Sequence, residues 1–255
     1  MRRVLVAVYA LLTASAHPVA AFDLDTVTAT ATVATDYRFR GVSQNDEKPM
    51  LQGELDVTGA DGWYAGAFGS GVDPEDHEDT SVELVLYGGR RMEWRGLSFD
   101  LSANYYAYPD HRPKPGSVRY SSLEFIGSAS RTWERFTATA TAAWSPSYFG
   151  DGPAWYIAGT VSYRITDWLS ASGTLGEQGS RGWNHTARSG YPYAHWDAGL
   201  TATSGPVSLD ARYGGASLNE DACLLTQGGR TWCRPAFFAS VSYRVPLWGS
   251  DPDRR

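Results

Sequence analysis

Apolar and polar residues alternate along most of this chain in short segments. In the clearest segment, which begins at Val27, the odd positions through Phe39 are mostly apolar and the even positions through Arg40 are mostly polar or charged. Because successive side chains of a β-strand point to opposite faces, this period of two predicts a strand with one apolar and one polar face. An aromatic residue lies at or near an end of the apolar face in each of the clearest segments, where a membrane interface would lie.

The alternation predicts about twelve strands. They are expected near residues 26–40, 49–59, 62–71, 80–91, 97–108, 119–130, 135–145, 154–165, 168–177, 193–203, 206–215 and 235–245. The third strand has two candidate apolar faces, because Trp63 and Tyr64 compete for the same side.

The connections between these strands alternate between long and short. Outer-membrane barrels close their periplasmic ends with tight turns and carry longer loops outside. We therefore expect an all-β fold, a transmembrane antiparallel up-and-down β-barrel of about twelve strands with both termini in the periplasm. A soluble barrel or sandwich shares the period of two but explains neither the loop lengths nor a charged interior. The long connections contain residues 43–48, 73–79, 110–118, 146–153, 178–192 and 216–235.

Residues 1–21 have the features of a cleaved signal peptide. Two arginines precede an apolar stretch at 4–14 that is too short to span a bilayer, and small residues before Phe22 offer a cleavage site. A retained membrane anchor is the alternative. We expect residues 22–255 to form one outer-membrane β-barrel domain, which places the protein in the bacterial outer membrane.

Composition agrees with this class. The formal net charge is −6, and it becomes more negative once a leader with two arginines and no acid is removed, which argues against nucleic acid as a partner. The mean hydropathy of −0.35 resembles that of a soluble protein, but barrels share this property because only alternate residues face lipid.

The polar faces of the predicted strands carry charges into the lumen. Rings of charge in a water-filled pore determine which ions pass, and the modest excess of acids here predicts a weak cation preference if the lumen is open. The alternative is that opposite charges pair and plug a barrel of this intermediate size. We expect a narrow pore. The candidate pore-lining residues are Asp36, Arg38, Arg40, Glu54, Asp56, Glu83, Asp100, Glu124, Arg164, His195, Asp197, Asp210, Arg212 and Arg244.

Two loops carry further chemistry. Cys223 and Cys233 lie in the last long loop, and in an exported protein such a pair is expected to form a disulfide, since two ligands alone make a poor metal site. The acidic loop 73–79 could hold a divalent cation through carboxylate oxygens, but it lacks a known calcium-binding spacing, and we favour a solvated acidic loop. We expect no resident metal or cofactor.

Enzymatic signatures are weak. A lipase built on a barrel needs a nucleophilic serine, a histidine base and an orienting polar group. Only His195 lies on a predicted strand, beside lumenal Asp197, and no nucleophile-elbow motif accompanies it. We therefore expect no enzymatic activity.

The segment 34–44, with the sequence Ala-Thr-Asp-Tyr-Arg-Phe-Arg-Gly-Val-Ser-Gln, closely resembles the opening motif of the TorF-type porin family of proteobacterial outer membranes. The likeness continues at Gly62–Gly66 and Tyr105–Pro109. This resemblance implies an exported outer-membrane barrel with a channel role, in a family without an established substrate. Barrels of this kind usually end on an aromatic residue that assists insertion, whereas here Pro246 to Trp248 and a charged tail follow the predicted last strand.

The opening motif predicts a constriction. On a strand through residue 40, Asp36, Arg38 and Arg40 would share the lumenal face while Tyr37 and Phe39 face lipid. A salt-bridge ladder that only holds the register is the alternative.

The expected function is therefore that of an outer-membrane porin-like channel for passive diffusion of small hydrophilic solutes or ions. Its expected partners are outer-membrane lipid, those solutes and the outer-membrane assembly machinery during insertion. The alternative is a non-conducting barrel whose outer loops bind a ligand or partner.

Overall fold

The computed structural model describes residues 24–74, 80–112, 121–150, 152–180 and 192–249. The expected signal peptide and most of the acidic loop (residues 75–79) lie outside the described residues.

Twelve strands close into one antiparallel barrel. Each strand pairs with its neighbours along the chain, and the first and last strands pair with each other to complete the ring. The predicted up-and-down barrel of twelve strands is thus confirmed. Its strands are β1 (Leu24–Ala34), β4 (Met50–Gly59), β5 (Trp63–Gly71), β6 (Val82–Trp94), β7 (Leu97–Ala107), β8 (Ser122–Trp133), β9 (Phe136–Ser147), β10 (Ala154–Arg164), β11 (Leu169–Ser180), β12 (Tyr193–Ser204), β13 (Val207–Ala216) and β14 (Ala236–Trp248), while β2 (Arg38–Phe39) and β3 (Val42–Ser43) form a separate short hairpin.

The outside of the barrel is apolar and the inside is polar. Leu51, Leu86, Ile157 and Leu175 are each at least half exposed on the outer surface. In β5 the side chain of Trp63 is exposed, so this strand turns its tyrosine neighbour inward and the ambiguity in its phase is resolved.

The two ends of the barrel differ as predicted. Tight turns close one end, such as Arg95–Gly96, where both residues have the positive φ that a two-residue hairpin turn of type I′ requires. We call this the short-turn end and the opposite end the long-loop end. The alternation of connection lengths is confirmed, and it places both ends of the described chain at the short-turn end.

The first and last strands depart from the predicted bounds. The prediction that strand 1 continues through residue 40 is wrong, because its pairing with β4 ends where Ala34 meets Met50. The last strand runs on to Trp248, so it does close on an aromatic residue. Pro246 is accommodated there opposite Thr28, beside an irregularity in the register where a missing N–H is tolerated.

A helix, α1 (Glu220–Gln227), lies in the last long loop and was not predicted. Asn219 caps its first turn by accepting a hydrogen bond from the backbone N–H of Ala222 at 2.8 Å. Gly228 ends it in the left-handed conformation, with φ of 102°.

No helix among the described residues is long and apolar enough to cross a membrane.

Candidate functional site

Residues 35–48, which we call the inturned loop, leave the barrel wall after β1. They form the β2–β3 hairpin, in which Arg38 pairs with Ser43. Arg40 and Gly41 make its tip with φ of 50° and 82°, the combination that a type I′ turn requires.

The tip of the inturned loop lies inside the barrel against strands β12 and β13. A Cβ atom on Gly41 would lie 2.7 Å from both the carbonyl oxygen of Gly215 on β13 and Cβ of His195 on β12. Only a glycine fits this approach. The loop therefore occupies the lumen at the long-loop end.

The aromatic residues of this loop face the interior, so the prediction that they face lipid is wrong. The Tyr37 hydroxyl donates to Glu83 on β6 at 2.8 Å, and the Phe39 ring packs edge-on against Tyr106 at 6.0 Å between centroids. Tyr108 donates to the same carboxylate at 2.6 Å. Burial and the neighbouring Glu83 raise the pKa of Tyr37 and of Tyr108 well above the ordinary value, so both hydroxyls remain donors.

Arg40 crosses the lumen. Its Nη2 donates to Glu124 Oε2 on β8 at 2.8 Å, and its Nη1 donates to Gln178 on β11. The guanidinium also lies 3.9 Å from the centroid of the Tyr156 ring, within the range of a cation–π contact. Burial opposes the charge, but Tyr148 and Glu124 outweigh it and raise the pKa of Arg40, so its guanidinium stays charged.

Asp36 and Arg38 fold the loop rather than line a wall. The Asp36 carboxylate accepts from Arg38 Nε at 2.6 Å and from the Ser43 hydroxyl at 2.6 Å. Arg38 also donates from Nη1 to the carbonyl of Arg234 at 2.9 Å. Its side chain is 2% exposed, so this arginine ties the inturned loop to the chain that lies against it. The prediction that Asp36, Arg38 and Arg40 extend from a wall strand is thus corrected, although all three do reach the interior.

Residues 217–235, which we call the cysteine loop, pack against the inturned loop. The predicted disulfide Cys223–Cys233 is present, and its sulfurs are buried with Trp232 and Val42 in a small apolar cluster. The Trp232 indole donates to Asp46 at 3.0 Å. Arg234 donates to Glu47 at 2.6 Å, so two side-chain contacts clamp the two loops together.

The strands carry a second set of charges into the lumen. On one side, Arg212 pairs with Asp197 and, at 3.3 Å, with Asp210. On the other side, the Tyr87 hydroxyl is shared between Glu54 at 2.8 Å and Asp56 at 2.5 Å.

The remaining predicted lumenal residues lie toward the short-turn end of the barrel or at its rim. Asp100 accepts a hydrogen bond from the Tyr64 hydroxyl at 2.5 Å. Arg244 lies on β14 opposite Thr30, with the outward Tyr243 before it. Arg164 lies at the short-turn rim, where it donates to the carbonyl of Glu134 at 3.1 Å.

Water reaches the two halves of the lumen differently. The side chains of Arg40 and Glu124 are 7% and 2% exposed, whereas those of Asp210 and Asp100 are 26% and 33% exposed. The charged interior is therefore accessible from the short-turn end and filled at the long-loop end. The inturned loop lies across the lumen at the long-loop end, from its tip at Gly41 to the Arg40–Glu124 contact.

A chamber of about 390 Å³ lies beside the tip of the inturned loop. The Tyr156 hydroxyl and His195 Nε2 on its wall are 3.0 Å apart, and the two rings are stacked. Among the described residues, no three His, Cys, Asp or Glu side chains cluster as metal ligands would.

A family model described as "Bacterial protein of unknown function (Gcw_chp)" matches residues 19–244. The chain belongs to this family. No curated protein matches it.

Solved structures show where the fold of this Gcw_chp protein recurs. The KdgM porin, solved in complex with disordered oligogalacturonate, is 7% identical over 86% of this chain and 98% of its own, with a TM-score of 0.53. The COG4313 outer membrane channel from Pseudomonas putida F1 is 10% identical over 89% of this chain and 97% of its own, with a TM-score of 0.51. At these identities the likeness establishes a shared barrel fold.

Proposed function

We propose that this protein is an outer-membrane channel through which small hydrophilic solutes or ions diffuse passively. The observation that carries the proposal is a closed barrel with an apolar outside and a charged interior that water reaches from the short-turn end. A soluble barrel would bury an apolar interior instead. The inturned loop is then the constriction that sets the size of the solute.

The proposal also assigns an orientation. Short turns face the periplasm and long loops face the exterior in outer-membrane barrels. The inturned loop and the cysteine loop would then lie at the outer mouth, and residues 1–21 would be removed during export. The strand that ends on Trp248 offers the assembly machinery a terminal aromatic residue.

Two likenesses support a channel over an enzyme. The structural neighbours KdgM and COG4313 are a porin and an outer membrane channel. The segment that resembles TorF-type porins is the strand end and hairpin that enter the lumen. His195 contacts Tyr156 rather than a serine, which favours a structural role for this histidine.

Recording from planar bilayers tests the proposal directly. The full chain, extracted in detergent and shown to be folded by its heat-modifiable migration on gels, is added to one side of the membrane. We expect reproducible single-channel steps. Persistent silence from folded protein would contradict a passive channel.

The filled long-loop end favours a second candidate, a non-conducting barrel whose outer loops bind a ligand or partner. The buried Arg40–Glu124 pair and the clamp between Trp232 and Asp46 are the contacts that would keep such a barrel closed. Silence in bilayers from folded protein, together with saturable binding of a ligand to the loops, would support this candidate.

A further inference from the structure

The chamber beside the inturned loop has the size of a small-molecule site. Its volume of about 390 Å³ lies near the lower end of the roughly 300–1,000 Å³ typical of ligand pockets. Strands β10 to β14 form its wall, and the hairpin tip forms part of its boundary.

The charges around this chamber are already paired. Arg38 and Arg40 direct their donors to the inturned loop, the cysteine loop and the far wall. Arg212 is held by Asp197 and Asp210. An anionic ligand would have to displace a carboxylate from one of these arginines and would leave that carboxylate uncompensated. A cationic ligand that approached Asp197 would meet the guanidinium groups of Arg38, Arg40 and Arg212 around the same chamber.

Several polar atoms in the chamber still have capacity to bind. Both bonds from Arg212 reach Oδ1 of Asp197, and Oδ2 has no hydrogen-bond partner among the described residues. The hydroxyls of Thr160 and Thr174 lie 3.1 Å apart, and this single bond leaves one donor and further lone pairs between them. Phe238 adds an apolar ring to the wall.

We infer that the chamber binds a neutral, hydroxyl-rich solute of the size of a monosaccharide or disaccharide, an inference that rests on the proposed channel function. Each hydroxyl of such a solute both donates and accepts, as Asp197 Oδ2 and the two threonines require. The apolar face of a sugar ring fits against Phe238. Neutrality avoids competition with the existing ion pairs.

Calorimetry and current recording test this inference on the full chain. Glucose, sucrose and maltose are titrated into folded protein in detergent micelles, and the same sugars are added to conducting channels in bilayers. We expect saturable binding of at least one sugar and a reversible reduction of ion current. Lysine and citrate, as cationic and anionic probes, are expected to do neither at the same concentration.

Two variants locate the site, and a third is the control. Asp197→Asn is expected to weaken sugar binding about tenfold, since a hydrogen bond to a charged group is lost. Thr160→Val keeps the shape of the side chain but removes its hydroxyl, and it is expected to weaken sugar binding about threefold. Asp221→Asn is the matched control, because Asp221 is 82% exposed on the cysteine loop, and it is expected to leave sugar binding unchanged.

The outcomes separate the chamber from the channel. Conducting protein that none of the three sugars binds or blocks overturns the chamber inference and leaves the channel proposal standing. Sugar binding in micelles by protein that stays silent in bilayers overturns the channel proposal and supports the chamber. Binding of lysine or citrate in place of sugar, or sugar binding that both Asp197→Asn and Thr160→Val leave intact, overturns the inference.

Discussion

Arg40 and Glu124 form an ion pair across the lumen, with 2.8 Å between Nη2 and Oε2. Arg40 belongs to the loop that follows β1, whereas Glu124 lies on β8, on the far side of the ring. Both side chains are almost fully shielded from water. Removal of one member of such a pair leaves a buried charge at a cost of about 3–5 kcal/mol. The pair therefore holds the inturned loop across the lumen.

The first prediction is that Arg40→Ala and Arg38→Ala each raise single-channel conductance. Arg40→Ala frees the tip from Glu124, and Arg38→Ala frees the hairpin from Asp36 and the cysteine loop. Loss of a lumenal arginine should also shift the selectivity of the channel toward cations. Bilayer recordings under a salt gradient measure both quantities.

Arg230→Ala is the control for both variants. Arg230 is an exposed arginine whose side chain is 55% accessible and pairs with Asp221 on the surface, where an ion pair contributes little. Its conductance and selectivity should match those of the wild type. Unchanged conductance and selectivity in both Arg38→Ala and Arg40→Ala would show that the inturned loop is not the constriction.

The second prediction concerns the close approach of the hairpin tip to the wall. Gly41→Ala places a Cβ 2.7 Å from Gly215 and His195 and forces a non-glycine residue to φ of 82°. We expect a loss of roughly 1–3 kcal/mol in the stability of the docked loop. Denaturant unfolding measures the loss, and a rise in conductance reports the displaced tip.

Gly53→Ala is the matched substitution for this test. A Cβ at Gly53 on β4 would meet no atom within 4 Å. This variant should unfold at the same denaturant concentration as the wild type or at a slightly higher one. Equal stability and conductance of the two alanine variants would contradict the docking of the tip.

The wall of the barrel could be predicted from the sequence, whereas the inturned loop could not. The period of two recurs in strand after strand of the wall, and the alternation of long and short connections followed from it. The same alternation continued through Tyr37 and Arg38 after the strand had ended, so it concealed the hairpin. Length was the available signal, because strand 1 was predicted over 26–40, longer than the roughly 9–11 residues that a membrane strand needs.

The partners of the lumenal residues were also beyond the sequence. Periodicity placed Glu124 and Arg212 on the inner face, but it carries no information about which strand lies opposite another. Gln178 and Tyr156, which hold Arg40, are uncharged and were not selected as lumenal candidates. Trp232 was not singled out either, because it lies in a loop without a periodic pattern.

The third prediction is that the disulfide stabilises the clamp and not the barrel. Replacement of Cys223 and Cys233 by serine removes a cross-link that typically contributes about 2–4 kcal/mol. The cross-link lies in the cysteine loop, outside the strand ladder, so the barrel should remain heat-modifiable. We expect more frequent current fluctuations, because the contacts of Trp232 and Arg234 with the inturned loop loosen.

A reducing agent provides the control for the cysteine variant. Reductant applied to the wild-type channel should reproduce the fluctuations, and it should leave the double serine variant unaffected. If neither reduction nor substitution changes the current, the disulfide does not stabilise the clamp.

The fourth prediction is an acid-dependent release of the clamp at Asp46. Its carboxylate accepts from the Trp232 indole at 3.0 Å and pairs with Lys48 at 3.0 Å. The hydrogen bond from the Trp232 indole is the main cause that lowers the pKa of Asp46 below its ordinary value of 3.8, and Lys48 lowers it further. Because the folded-state pKa lies below the unfolded value, the stabilisation is complete above pH 3.8 and is lost as the pH falls through the lower folded value.

The clamp should therefore be unaffected near neutral pH and loosen only in strong acid. The difference in fluorescence between the wild type and Trp232→Phe, followed from pH 7 downward, isolates the indole that bonds to Asp46. Asp46→Asn keeps an acceptor for that indole but cannot ionise. The fluorescence difference between proteins with and without Trp232 should therefore lose its acid transition when both carry Asp46→Asn. Asp110 also titrates in acid, because its bonds to Ser81 outweigh burial and lower its pKa, but it remains in the variant and would keep its own transition there. An acid transition of unchanged midpoint and amplitude in Asp46→Asn would assign the release to another group.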